Sequence, residues 1–72
     1  MDLNSKANEI AKSHRADMEG FGYTPSVLEL AQHVWHSITP DERAEVMEVS
    51  ARGRTIHQTY KNCLDQVARM LD

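Results

Sequence analysis

"VSARGRTIHQTYKNC" (residues 49–63) decides the fold of this chain, because Gly53 sits in the middle of an otherwise helical pattern. Val46, Val49, Gly53, Ile56, Tyr60, Cys63, Val67 and Met70 recur alternately every three and four residues, the spacing of a heptad seam. Read as one helix, Pro40 to Leu71 makes a rod about 48 Å long. Such a rod needs a second copy of the chain to cover its free side. Against continuity, glycine costs roughly 1 kcal/mol relative to alanine inside a helix. The run from Thr55 to Gln58 carries a capping-box signature, and Gly53 stands where the end of a preceding helix favours glycine. We read a break or sharp kink at 53–54, with the unbroken helix as the alternative.

Working outward, the remaining chain reads as helix throughout. Period-two alternation is absent, and the few β-branched residues fall at helical spacings. Asn4 or Ser5 is placed to cap a first helix reaching about Glu19, with a thin stripe of Ala7, Ile10, Ala11 and Met18. Gly20 and Gly22 end it. Thr24 and Pro25 read as cap and first helical position of a second helix to about residue 37, with Tyr23 and Leu28 as a hydrophobic staple. Thr39, Pro40 and Glu42 repeat the device for a third helix, with Asp41 and Glu42 suited to its positive end. The expected fold is all-α: a small bundle of three to four helices with a helix-turn-helix-like C-terminal half, or a long C-terminal helix if unbroken at Gly53. The pattern places Val27, Leu28, Ala31, Val34, Trp35, Ile38, Val49, Ile56, Tyr60, Leu64 and Val67 in the core.

Size and charge bound the function. Residues 1–72 make a single domain, and a chain this short buries only about 60% of its unfolded surface. Cys63 is the only cysteine, so no disulfide forms within one copy, which fits a reducing, cytoplasmic setting. Met1–Lys12 lacks the apolar run of a signal peptide, and no apolar stretch approaches a membrane span. Eight Lys/Arg against eleven Asp/Glu leave a net charge of −3, mild evidence against indiscriminate nucleic-acid affinity. The charge is uneven, however. Residues 40–48 are acidic, whereas 51–62 contain cations and no acid.

That cationic run supplies the candidate site. With a break at 53–54, Arg52, Arg54, His57, Gln58 and Lys61 cluster at the start of a helix that follows a helix and a turn. Helix-turn-helix proteins place the N-terminal part of such a helix in the DNA major groove, where Arg and Lys meet guanine and phosphate and Gln meets adenine. The thin stripe on the first helix suggests an incomplete core and hence a homodimer, with Tyr60, Cys63, Val67 and Met70 as the contact.

Two stretches resemble bacterial helix-turn-helix regulators. "GYTPSVLELA" (22–31) is similar to the opening of the LexA-type winged-helix domain. "ITPDERAEVMEVSARG" (38–53) resembles the first helix of the LuxR-type domain, and "RTIHQTYKNCL" (54–64) looks like that family's recognition helix. The chain departs from the first pattern by an intervening acidic helix and from the second by one missing scaffold helix. The resemblance implies binding of double-stranded DNA, with Arg54, His57, Gln58 and Lys61 at matching places.

Other chemistry finds less footing. Glu29, His33 and His36 share a helix face and are zinc-ligand types, yet one face rarely closes a metal shell, so we assign no metal or cofactor. Cys63 and His57 lie on different sides of a helix, and no glycine-rich phosphate loop is present. We expect no enzymatic activity. An acidic face on the third helix offers a second expectation: a small phage-type inhibitor or adaptor that binds a host protein.

Overall fold

The computed structural model of the chain describes residues 2–50 and 56–71, and side chains over 2–48 and 60–71. These residues form four helices and no strand: α1 (Leu3–Gly20), α2 (Val27–Ser37), α3 (Pro40–Ser50) and α4 (Ile56–Met70). α3 and α4 are separate helices that pack on each other, which two halves of one straight rod cannot do. The four-helix reading therefore holds and the unbroken helix does not. The proposed break itself, with Gly53 and the Thr55 cap, lies outside the described residues.

α1 is capped two or three residues earlier than expected. Its cap is Asp2, whose carboxylate accepts from the Ser5 N–H at 2.7 Å, rather than Asn4 or Ser5. Its end follows from Gly22, which takes φ +83°, a conformation that glycine alone adopts without strain. The Tyr23 N–H donates to the Met18 carbonyl (2.9 Å) and the Gly22 N–H to the Glu19 carbonyl (3.0 Å), a Schellman ending.

α2 is capped by Ser26, not Thr24. The Ser26 hydroxyl accepts from the Glu29 N–H at 3.2 Å, and Pro25 is buried just before the cap. α3 starts as its sequence predicts. The Glu42 N–H donates to the Thr39 hydroxyl (3.2 Å) and the Thr39 N–H to the Glu42 carboxylate (2.8 Å), a complete capping box.

Packing runs through the middle pair. α2 lies against α4, α1 packs on α2 and touches α4, and α3 also packs on α4. The core is Ala7 and Ala11 of α1, Leu30, Ala31, Val34 and Trp35 of α2, Ile38 after it, Val46 of α3, and Cys63, Leu64 and Val67 of α4. The alanines explain how a helix with so few large apolar residues still docks: without long side chains its backbone comes close to α2. Three expected core residues are corrected. Val27, Leu28 and Tyr60 are 54%, 50% and 47% exposed. Val27 and Leu28 lie on the right face of α2 but on its first turn, which the neighbouring helices leave uncovered. The side chains of Val49 and Ile56 lie outside the described residues.

Polar contacts tie the ends together. The Asn8 amide donates to the Met70 carbonyl at 2.8 Å, joining α1 to the end of α4. Lys6 of α1 donates to Glu42 at 2.7 Å, so one carboxylate serves both the α3 cap and an ion pair. Arg43 donates to the Trp35 carbonyl (2.8 Å) and the His36 carbonyl (3.2 Å), with its guanidinium 6.0 Å from the Trp35 ring centre. A cation at the last carbonyls of α2 suits the negative end of that helix.

Candidate functional site

The predicted nucleic-acid cluster is only partly visible. Arg52 and Arg54 lie outside the described residues. His57 and Gln58 fall on the first turn of α4, and their side chains also lie outside the described residues. Lys61, one turn further, is exposed.

The predicted contact between copies divides in two. Cys63 and Val67 are each 1% exposed within the single chain, so they have no surface left for a partner. Heptad spacing marks a helix that needs covering, and here α2 and α3 do the covering. Tyr60 keeps about half its surface and meets the Trp35 ring edge-on at 6.5 Å, while Met70 is partly buried against the core. Burial also removes Cys63 as an accessible nucleophile.

The zinc-type residues of α2 are directed elsewhere. Both Glu29 carboxylate oxygens accept from the Tyr23 hydroxyl, at 2.7 and 2.6 Å. That bond holds the Glu29 carboxyl below its ordinary range and raises the Tyr23 phenol. The His33 ring stacks face to face on His14 of α1, with centres 3.8 Å apart and planes 7° from parallel. Burial lowers the His33 pKa first. The His14 charge lowers it further, as does His36, while Asp17 opposes them. Among the described residues no group of three or more His, Cys, Asp or Glu side chains is placed to hold a metal ion.

One feature escaped the sequence reading. Phe21 (85% exposed), Tyr23 (48%), Val27 and Leu28 form a run of exposed large apolar residues around the α1–α2 turn. From Ala16 to Glu42 the chain has no Lys or Arg. The exposed carboxylates Asp17, Glu19 and Glu29 accompany the run. A capping box at Ser26–Glu29 was the available signal, since it moves the helix start to Val27 and leaves Val27 and Leu28 at an open end.

No family model, curated protein or solved structure matches the chain. Among the described residues no helix is long and apolar enough to cross a membrane.

Proposed function

We propose that this chain is a small, non-enzymatic DNA-binding regulator of bacterial or phage type, acting in the cytoplasm as a homodimer. The supporting observation is that α3 and α4 are separate helices packed on each other, and that the longest acid-free run of the chain, residues 49–64 with Arg52, Arg54 and Lys61, spans their junction in sequence. In this reading the start of α4 meets the major groove, with Arg52, Arg54 and Lys61 on phosphates or guanine and His57 and Gln58 on base edges. Fluorescence anisotropy with duplex DNA across a salt series tests it. Native protein should bind more weakly as salt rises, and Arg54→Ala with Lys61→Ala should reduce the log–log salt slope by about 2. Absence of any salt-sensitive binding ends this reading.

The exposure of Asp41, Glu45 and Glu48 along α3 favours a second reading, an inhibitor or adaptor docking that acidic face on a basic host protein. Recovery of one partner that resists nuclease treatment, and is lost on charge reversal at Glu45 and Glu48, supports it. Recovery that survives the reversal rejects it.

A further inference from the structure

Phe21, Tyr23, Val27 and Leu28 expose more apolar surface than folding requires. Scattered exposed apolar residues are ordinary on a monomer, whereas a run of four within eight positions marks a contact surface. The run is also held in shape. Two backbone hydrogen bonds and the positive φ of Gly22 fix the turn that carries Phe21, and the Tyr23 hydroxyl is tied to Glu29. A partner therefore meets a turn whose backbone is already fixed and a Tyr23 ring that is already tied, which lowers the entropy cost of binding.

The charge around the run selects among occupants. Asp17, Glu19 and Glu29 are exposed, and no Lys or Arg occurs between Ala16 and Glu42. A second copy meeting this face by two-fold symmetry brings the two sets of acids together. An anionic membrane or a nucleic-acid backbone is repelled by the same carboxylates. Among the described residues no strand offers an edge for an extended peptide, so a docked segment must satisfy its own backbone hydrogen bonds. We propose that the Phe21–Leu28 surface docks a cationic amphipathic helix of another protein, its apolar side on the aromatic and aliphatic groups and its Lys or Arg residues on Asp17, Glu19 and Glu29. This goes beyond both functional readings and uses neither the start of α4 nor the acidic face of α3.

A synthetic amphipathic peptide of Leu and Lys, titrated into isotopically labelled protein, provides the probe. A scrambled peptide of identical composition controls for charge alone. The expected result is saturable binding, with amide shifts concentrated at residues 17–30 and weakening as salt rises. Phe21→Ser with Leu28→Ser should weaken it about tenfold, with helical circular dichroism and duplex-DNA binding unchanged. Leu28→Ser alone, at a half-exposed position, keeps the test open if the double variant misfolds.

Equal binding of the scrambled peptide, or equal binding by the variants, overturns the proposal. So does a doubled solution mass that the Phe21 and Leu28 substitutions abolish, because a second copy then covers the surface. Shifts at the same residues with phosphatidylglycerol vesicles and none with the peptide overturn it in favour of a membrane.

Discussion

Two junctions in this molecule open with the same dipeptide and end differently. Thr24-Pro25 and Thr39-Pro40 both precede helices. At the second, Thr39 is the cap and Pro40 the first helical residue. At the first, the helix waits for Ser26. The difference lies three residues on. Thr39 has Glu42 at that spacing, and the pair exchanges two hydrogen bonds. Thr24 has Val27 there, which accepts nothing, whereas Ser26 has Glu29. Thr-Pro permits a helix start, and the carboxylate three residues after a hydroxyl decides where it falls. The consequence reaches the surface. The first two helical positions are Pro40 and Asp41 at one junction and the half-exposed Val27 and Leu28 at the other.

The largest effect separating the junctions is expected one residue beyond the carboxylates. Leu30 follows Glu29 and is 1% exposed, while Arg43 follows Glu42 and grips the end of α2. Leu30→Ala removes packing and leaves a cavity, a loss of about 2–5 kcal/mol. A single core of this size rarely supplies more than about 3–5 kcal/mol, so the variant should be largely unfolded at room temperature. Arg43→Ala should lose about 1 kcal/mol, because water replaces much of what the guanidinium gave the two carbonyls. Urea denaturation followed by circular dichroism measures both. Equal losses at the two sites contradict the assigned burial.

The caps come next in size. Ser26→Ala and Thr39→Ala should each cost about 1 kcal/mol, and Thr24→Ala should fall within about 0.5 kcal/mol of native. A Thr24→Ala loss as large as that of Ser26→Ala returns the helix start to Thr24.

How far the sequence reveals all this depends on what kind of signal each feature leaves. The Thr39–Glu42 box and the Gly22 turn leave local signals, because each rests on a hydrogen bond or dihedral specific to a residue type. Ala31, Val34, Trp35, Ile38, Leu64 and Val67 are legible as core from helical spacing. Spacing gives the face of a helix but not how far along it a neighbour reaches, and so Val27 and Leu28 read as core when they are not. Heptad spacing likewise says that Cys63 and Val67 need covering without saying by which chain. The α1 cap shows another limit: Asp2, Asn4 and Ser5 all have capping side chains, and only geometry shows which reaches a free N–H. Of the candidate DNA site, Lys61 alone has a described side chain.

The two carboxylates at the helix starts should also separate by what holds each of them down. The Lys6 ammonium, followed by the Thr39 N–H, holds the Glu42 pKa down to about 2, against 4.5 ordinarily. A pKa lowered by folding contributes stability above the unfolded value, lost as pH falls from about 4.5 towards 2. Glu29 is lowered chiefly by a neutral phenol, so its share should survive loss of Lys6. His33 acts at higher pH. Its pKa lies below 6.5 in the folded chain, so folding favours the neutral ring, and stability present above 6.5 declines as pH drops below it. Melting temperatures from pH 8 to pH 2 should therefore fall in two stages. His33→Asn should flatten the first and Glu42→Gln the second. A first stage that persists in His33→Asn assigns that titration to another group.

The smallest effect is the sharpest test of the comparison. Val27→Pro with Leu28→Asp gives the first junction the residues that the second already has at those positions. If Val27 and Leu28 served the fold, this exchange would cost well over 1 kcal/mol, since each buried aliphatic side chain contributes about 1.5–3 kcal/mol. Their half-exposed state predicts a change within about 0.5 kcal/mol. Proline tolerates the first helical position, and an aspartate near the positive end of α2 offsets the lost contact. Urea midpoints that match between the two proteins would mean that the aliphatic pair persists without a structural need. The selection for it would then lie in what the surface touches, and the same variant should lose the cationic peptide while remaining folded.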